Sequence, residues 1–287
     1  MKPATFDYVT ARTVEEAVSH LVAAGGEGKI LAGGQSLVPA MNFRLARPAV
    51  LVDINGVAEL SKITADGDTV TIGSMVRHVD LERNSLDGPL GRLFAEVARW
   101  VGHVPIRTRG TIGGSLAHAD PAAEWGVVAV TLDATLEVVG PGGIRRIAAA
   151  DLFRSVFLTS LDPDEVITAI SFQVLGSDVR FGFREFARRS GDFALVSVLA
   201  VASMASRREV ATARIGLGGV GATPLRATPA ESILSGREVD ERVLREAAAS
   251  AAGAVEPPAD VHASSEFRRK LVRNLTIEAL SRATRID

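Results

Sequence analysis

Cysteine is missing altogether from this chain of 287 residues. Its absence excludes disulfides, zinc–thiolate sites, catalytic thiols and thiolate ligands for an iron–sulfur cluster. Any iron–sulfur cluster that works with this protein must therefore be held by another chain.

Long apolar runs and an excess of positive charge are missing as well. No run approaches the roughly 20 apolar residues of a membrane helix, and the start, MKPATFDYVT, turns polar too soon for a signal peptide. The net charge is -2 and the arginines are scattered, so no basic surface is expected for nucleic acid. We expect a cytoplasmic protein with no membrane span and no nucleic-acid partner.

The composition is that of a folded protein, with 47% hydrophobic and 23% charged residues. A chain of this length lies near the size at which single cores divide into domains. A break in pattern around LGSDVR, residues 175–180, gives the boundary. We predict an N-terminal domain at 1–176, with subdomains 1–55 and 56–176, and a C-terminal domain at 177–287.

Residues 1–55 follow a strand–helix–strand–helix–strand order. Thr13 and Glu16 have the spacing of a capping box ahead of an apolar helix face. Because such units cross over in one direction, this order predicts a small parallel α/β sheet. Strands are predicted at 6–9, 29–32 and 50–54, with a second helix at 37–45.

Beyond residue 56 the chain changes to short β-rich runs joined by turns. Turns at Asp66–Gly67 and around 141–143 predict hairpins in a mixed, largely antiparallel sheet. The C-terminal part has three strands followed by helices, so the predicted fold class is α+β. Those strands are predicted at 180–186, 194–203 and 212–217, and the helices at 227–234, 241–252 and 266–282.

The first candidate binding feature is the loop in ILAGGQSL, residues 30–37. Gly33 and Gly34 follow a strand and precede a predicted helix start at Ser36. Glycines let an anion approach backbone N–H groups, although a strand-to-helix turn can need glycine for conformation alone. The loop has neither the GxGxxG nor the Walker pattern.

The second candidate feature is RGTIGGSLAHADPAAE, residues 109–124, which holds another glycine pair between two hydroxyl residues. Two such loops suit a diphosphate better than one, because a diphosphate needs donors from several directions. Asp120 and Pro121 have the preferences of a helix start, and this interpretation and a binding role both stay open. Glu124 either accepts hydrogen bonds from a ribose or complements the helix dipole.

In this order, AGGQSL, IGSMVRH and RGTIGGSLAHADPAAE resemble the flavin-binding medium subunits of molybdenum hydroxylases. That family includes carbon monoxide dehydrogenase and oxidoreductases of nicotine and quinoline, and it is related to the FAD domain of xanthine dehydrogenase. The resemblance continues along the chain in FDYV, LVDINGVAEL, LTSLDPDEVITAI, RRSGDFALV and SEFRRKLV. It implies a two-part FAD-binding domain of the para-cresol methylhydroxylase type.

Carried over to this sequence, the resemblance implies that both glycine loops wrap the FAD pyrophosphate, with Leu37 and Ile112 lining the same cleft. Glu124 matches an acidic residue that holds ribityl or ribose hydroxyls, and Ser115 stands where relatives often have Asn. Phe193 either covers the flavin ring or belongs to the core. The candidate FAD-binding residues are Ile30, Leu31, Ala32, Gly33, Gly34, Gln35, Ser36, Leu37, Val101, Thr111, Ile112, Gly113, Gly114, Ser115, His118, Asp120, Glu124, Leu161, Asp192 and Phe193.

Other patterns predict no further site. The five histidines are not at the spacing of a metal-ligand pair, so we expect neither a metal site nor a catalytic residue on this chain. His78 has either a structural or a direct role near the flavin. Ser36 lacks the flanking glycines of a nucleophile elbow, and the basic runs 207–208 and 268–270 predict solvated surfaces.

The function that the resemblance implies is electron transfer within an oxidoreductase. FAD on this chain would take electrons from 2Fe-2S clusters on a small subunit and pass them to an external acceptor. The molybdenum cofactor would lie on a large subunit, in a dimer of three-subunit units. Two alternatives stay open: a stand-alone FAD-dependent oxidoreductase, and a flavin-less scaffold relative, against which the intact glycine pairs argue.

Overall fold

The computed structural model describes residues 2–83 and 86–285, which form an α+β fold with three main sheets. Its strands are β1 (Asp7–Thr10), β2 (Gly28–Leu31), β3 (Val50–Asp53), β4 (Ile63–Asp66), β5 (Thr69–Gly73), β6 (Thr135–Gly140), β7 (Gly143–Ala148), β8 (Phe153–Ser155), β9 (Leu158–Thr159), β10 (Val166–Gln173), β11 (Val179–Phe186), β12 (Val196–Met204), β13 (Glu209–Gly218), β14 (Leu225–Arg226) and β15 (Arg237–Glu238). Its helices are α1 (Val14–Ala23), α2 (Leu37–Asn42), α3 (His78–Glu82), α4 (Gly88–Ala98), α5 (Val104–Arg107), α6 (Ile112–His118), α7 (Glu124–Thr131), α8 (Ala149–Leu152), α9 (Thr228–Leu234), α10 (Glu241–Gly253) and α11 (Ser265–Thr284).

The N-terminal sheet is parallel, in the order β1-β3-β2, as the sequence pattern predicts. Thr13 caps α1, because its hydroxyl accepts a hydrogen bond from the backbone N–H of Glu16 at 3.2 Å. Helix α2 is shorter than predicted and ends at Asn42. The reason is that Arg44 adopts a left-handed backbone conformation, with φ of 59°, that stops the helix.

The middle sheet has the order β4-β5-β10-β6-β7, and all of its pairings are antiparallel. Both hairpin turns lie where the sequence predicts them. The main core contains fully buried Phe94, Trp125 and Phe172, with Phe94 edge-on to both other rings. Each such side chain contributes about 1.5–3 kcal/mol by leaving water, so this core holds α4 and α7 on the sheet.

The C-terminal sheet contains β11, β12 and β13 in antiparallel order, and the short strands β14 and β15 also pair with β13. These two short strands are additional to the three that the sequence predicts. Helix α11 lies directly on β11 at Gly182. A Cβ atom at this position would overlap the carbonyl oxygen of Ala279, so the close packing requires glycine. Phe183 of β11 belongs to the main core, so this sheet packs on the middle region through apolar contacts.

The prediction that residues 268–270 form a solvated surface is wrong for Arg268. This side chain is 5% exposed and donates hydrogen bonds to the carbonyl of Leu195 and to the carboxylate of Asp260, both at 2.6 Å. A buried carbonyl needs a donor, and the guanidinium supplies it.

The middle and end of α7 pack closely on β13. Gly216 lies against Thr131, and Gly218 lies against Val127, so α7 approaches the strand where side chains would obstruct it. Glu124, the first residue of α7, is buried and near enough to Glu185 of β11 to affect its pKa. Across residues 2–83 and 86–285, no helix combines the length and apolar character needed to cross a membrane.

Candidate functional site

The two glycine loops, distant in sequence, touch one another. We call residues 32–36 the first glycine loop and residues 109–115 the second. Gly33 is buried, and a Cβ atom placed on it would overlap the carbonyl oxygen of Arg109. A Cβ atom on Gly114 would lie 3.7 Å from Cβ of Ala32. The glycines therefore allow the loops to meet at the junction of the N-terminal and middle sheets.

The first glycine loop presents unpaired backbone donors. Within the described part of the chain, the N–H groups of residues 33–36 donate no hydrogen bond. Gly34 has a positive φ of 70°, and Ser36 precedes α2 without a side-chain cap. Gln35 folds back, and its amide donates to the carbonyl of Gly33 at 3.0 Å. Successive backbone N–H groups without a protein acceptor can bind an anion.

The second glycine loop uses its backbone donors within the protein. The N–H of Gly113 donates to the carbonyl of Ser74 at 2.9 Å, and that of Gly114 donates to the Thr111 hydroxyl at 3.1 Å. The N–H of Ser115 donates to the carbonyl of Thr111 at 3.0 Å. Beneath Gly113, the buried hydroxyl of Ser74 has no hydrogen-bond partner in the described chain. Hydroxyl groups, more than N–H groups, are therefore what this loop can offer to a ligand.

The prediction of a helix start at Asp120 and Pro121 is wrong. The helix begins at Glu124, and the Asp120 carboxylate instead accepts a hydrogen bond from the N–H of Ala122 at 2.9 Å, which closes a turn. Glu124 is buried, and this burial, together with the charge of Asp120, raises the pKa of Glu124 to about 7.

A second buried carboxyl, Glu185, was not among the predicted site residues. It lies on β11 directly opposite Ser197 of β12. Burial and the charge of Glu124 raise the pKa of Glu185 to about 9. One carboxyl oxygen of Glu185 and the Ser197 hydroxyl are buried without a partner among the described residues. Because buried polar atoms are normally paired, the cluster is suited to a ligand with hydroxyl or amide groups.

Sequence periodicity contained a signal for Glu185. Side chains alternate across a strand, and Phe181, Phe183 and Glu185 are therefore on one face of β11. A carboxyl in register with two inward-facing aromatic residues is a buried carboxyl.

Three predicted site residues are core residues in this structure. Ile112 is fully buried in the main core, Val101 is 8% exposed in the same core, and Leu161 packs against it. His118 is half-buried, its ring centroid lies 4.9 Å from that of Phe157, and burial lowers the pKa of His118.

His78 has a structural position. Its Nδ1 accepts a hydrogen bond from the indole of Trp125 at 3.0 Å, and burial lowers the pKa of His78 to about 3. The imidazole is therefore neutral and tied to the core. Within the described ranges, no group of three His, Asp or Glu side chains is placed to hold a metal ion.

Asp192 and Phe193 lie in the loop between β11 and β12. Phe193 is 61% exposed, so the reading of this residue as core is wrong. The backbone of Gly191 rests on the imidazole of His103. The N–H of Asp192 donates to the carbonyl of Arg189 at 3.1 Å, and within the described ranges no hydrogen bond or ring contact joins Asp192 or Phe193 to either glycine loop.

Comparison with known protein families gives two matches. The model described as the FAD binding domain in molybdopterin dehydrogenase matches residues 4–172. The model described as the CO dehydrogenase flavoprotein C-terminal domain matches residues 181–283.

Individual relatives match over nearly their whole length. The 6-hydroxypseudooxynicotine dehydrogenase complex subunit alpha of Paenarthrobacter nicotinovorans is 38% identical, over 99% of this chain and 96% of the relative. The nicotine 6-hydroxylase medium subunit of the same organism is 37% identical, over 96% of each chain. A chain of carbon monoxide dehydrogenase from Hydrogenophaga pseudoflava superimposes with a TM-score of 0.95 at 33% identity, over 99% of this chain and 98% of that one.

Proposed function

The chain belongs to the family of FAD-binding subunits of molybdenum hydroxylases, and on that premise we propose that it is the electron-transfer subunit of a three-subunit enzyme. Electrons would arrive from 2Fe-2S clusters on a small partner subunit and leave to an external acceptor. The molybdenum cofactor and the substrate pocket would belong to a large partner subunit. When bound, FAD supplies the redox chemistry, and the protein supplies binding and orientation.

The glycine loops support this proposal because their free polar groups fit a flavin dinucleotide. Four adjacent unpaired N–H groups, at residues 33–36, suit a diphosphate. Buried hydroxyl and carboxyl atoms of Ser74, Ser197 and Glu185 have no partner in the described chain, and polar groups of a cofactor would satisfy them. The contact of the loops at Gly33 is the single observation that carries the assignment.

We propose distinct roles for the site residues. The first glycine loop binds the pyrophosphate through its backbone N–H groups, and Thr111 and Ser115 add hydroxyls. Glu124 accepts hydrogen bonds from ribityl or ribose hydroxyls, and a pKa of about 7 leaves this carboxyl able to exist in either protonation state near neutrality. Phe193, being exposed, is free to cover the flavin ring.

We also propose that the FAD-binding part has the para-cresol methylhydroxylase type of fold. The parallel sheet within residues 1–55 and the antiparallel sheet within 56–176 would be its two subdomains, and residues 177–287 would form the second domain. In support, β1–β3, β4–β10 and β11–β15 fall into these three ranges. The assembly would be a dimer of three-subunit units.

A stand-alone oxidoreductase would need acid or base groups placed over a substrate. Glu124 and Glu185 are the buried acids of the described chain nearest to that description. Their location, between α7 and the C-terminal sheet, is enclosed by packed elements and supports a role toward the cofactor more than toward a substrate.

The visible absorption spectrum tests the proposal, first on the purified chain and then on the chain co-expressed with its partner subunits. We expect an oxidised-flavin spectrum, release of FAD on denaturation, and additional iron–sulfur absorbance when the partners are present. A folded chain that stays colourless in both states and takes up no added FAD would contradict the flavin assignment and favour the scaffold alternative.

A further inference from the structure

A chain of hydrogen bonds joins the two glycine loops through Arg77. This guanidinium donates to the carbonyl of Arg109 in the second glycine loop, and it donates to the side-chain oxygen of Asn55 at 2.5 Å. The Asn55 amide in turn donates to the carbonyl of Ala32, in the first glycine loop, at 2.9 Å. Asn55 therefore holds one carbonyl of the first loop, Arg77 holds one carbonyl of the second, and the two side chains are hydrogen-bonded to each other.

The carbonyl that Arg77 holds is the one on which Gly33 lies. If the peptide at Arg109 rotated, the close approach of the loops would be lost, since Gly33 leaves no spare space there. The backbone supports the same arrangement, because Arg77 forms a bridge with Thr111 and the N–H of His78 donates to the carbonyl of Gly110 at 3.1 Å.

The surrounding charges add a second feature. The Arg109 side chain is exposed and forms no hydrogen bond or ion pair in the described chain. It is nevertheless near enough to act on its neighbours: burial and the charge of Arg109 lower the pKa of Arg77, while Asp80 and Asp53 act in the opposite direction. Burial alone would raise the pKa of Asp53, but hydrogen bonds from Tyr8 and Asn55 and the charge of Arg109 lower it.

Arg77 thus holds the carbonyl of Arg109 on which Gly33 lies, and the exposed Arg109 side chain is near enough to Arg77 and Asp53 to change their pKa values, while Asp53 accepts hydrogen bonds from Tyr8 and Asn55. The Arg109 guanidinium has no partner in the described chain, and arginine is well suited to phosphate oxygens. On the proposed function, we infer that Arg77 is a positioning residue that presets both glycine loops for the FAD diphosphate, and that Arg109 contacts this diphosphate directly.

The two arginines should fail in different ways when replaced. Arg77→Met removes the link between the loops, so FAD and ADP should both bind about tenfold or more weakly at any salt concentration. Arg77→Lys should not restore binding, because one ammonium group cannot reach both acceptors in this geometry. Arg109→Met should weaken binding most at low salt, whereas Arg109→Lys should keep most of the ionic contact.

Titration calorimetry of the flavin-free full chain with FAD, and with ADP as a diphosphate lacking the flavin ring, measures these effects. Asn55→Ala should resemble Arg77→Met, and the double variant should be no weaker than either single one, because both belong to one hydrogen-bond chain. Arg207→Met, at an exposed position, is the matched control. Additive effects of Asn55→Ala and Arg77→Met, or unchanged affinity in Arg77→Met, would overturn the inference.

Hydrogen–deuterium exchange gives a readout that needs no cofactor. In the flavin-free protein, Arg77→Met should speed exchange in both glycine loops and leave α10 and α11 unchanged. If exchange in the loops is unaltered, Arg77 does not position them. Failure of the unaltered chain to take up FAD would instead contradict the proposed function, and the exchange measurement would still decide the role of Arg77.

Discussion

The two glycine loops look alike in sequence and differ in what their glycines do. Gly33 and Gly34 leave backbone N–H groups unpaired, whereas Gly113 and Gly114 have theirs engaged by Ser74 and Thr111. The first loop is therefore a donor surface, and the second is a support on which the first rests. A glycine pair in a sequence indicates that something approaches the backbone closely. Only the structure shows whether that neighbour is a ligand or another segment of the chain.

The surroundings of the loops differ in charge as well. Two cationic residues, Arg77 and Arg109, flank the contact between the loops. The buried acid Glu124 follows the second loop in sequence, and Glu185 of β11 lies near it. A dinucleotide that spans both regions would place its diphosphate at the cationic end and its hydroxyl groups at the acidic end.

Replacement of Gly33 by alanine should have the largest effect on the contact between the loops. The new methyl group would overlap the carbonyl of Arg109, so the loops must separate and the four N–H groups lose their arrangement. We expect FAD affinity to fall by about a hundredfold or more, as measured by flavin content and titration. Gly253→Ala is the control, because nothing lies within 4 Å of a Cβ atom there. Full flavin content in Gly33→Ala would disprove the pyrophosphate assignment.

The acidic end can be examined through the pH dependence of stability. The pKa of Glu185 is about 9 in the folded protein, because of burial and the charge of Glu124, and near 4.3 in an unfolded chain. The stabilising effect of the folded environment is complete below the lower value and is lost as pH rises through about 9. Glu185→Gln should therefore be more stable than the unaltered protein at pH 9, by up to a few kcal/mol, and little different at pH 4.5.

Urea unfolding of the flavin-free chain at these two pH values measures the difference. Glu59→Gln, at an exposed position, is the matched control. An equal effect of Glu185→Gln at both pH values would show that the carboxyl is not held protonated.

Gly113→Ala should distinguish the supporting role of the second loop from the hydrogen-bond donation of the first. Its methyl group would overlap Ser74 under the second loop, at the edge of the main core. We expect a loss of about 1–3 kcal/mol in the free energy of unfolding, typical of overpacking, together with weaker FAD binding. Gly33→Ala should lose flavin with a smaller loss of stability, since the first loop contributes no side chain to the main core, whereas Ile112 beside Gly113 belongs to it. Equal stability losses in the two variants, measured by urea unfolding, would remove this distinction.

The smallest effect is expected at Thr111. Its hydroxyl caps α6 by accepting the N–H of Gly114. Thr111→Val keeps the shape but removes the acceptor, and should cost about 1 kcal/mol. Thr111→Ser keeps the acceptor and should restore most of the stability. Thermal unfolding of the three proteins side by side makes the comparison.

Periodicity and turn chemistry predicted most of the fold. The predictions of a parallel sheet within residues 1–55, of the two hairpins and of the long C-terminal strands and helices were correct. Local patterns of apolar residues specify these elements. The predicted end of helix α2 was wrong because Arg44 adopts a left-handed backbone conformation that stops the helix earlier. The helix start at Asp120 was wrong because the Asp120 carboxylate accepts a hydrogen bond from Ala122 and closes a turn there. The prediction that Arg268 lies on a solvated surface was wrong because its acceptor, the carbonyl of Leu195, is remote in sequence.

The candidate site was predictable only in part. Both glycine loops stand out as sequence motifs, whereas their contact depends on Arg109 approaching Gly33 across two sheets. Arg77 and Asn55 lie within IGSMVRH and LVDINGVAEL, but nothing in these segments reveals that they hydrogen-bond to each other. Pairings between residues far apart in sequence are a property of the fold and leave no local pattern.

The seating of α11 on β11 at Gly182 bears on how the protein is made. Strand β11 leaves the ribosome well before α11 is synthesised, so one face of the C-terminal sheet stays uncovered during that interval. Strands β1–β10 have all been synthesised by then and can begin to pair. Transiently exposed apolar surface is what chaperones bind, so slow translation of the segment between β13 and α11 should lengthen the time for which this sheet face is open to them.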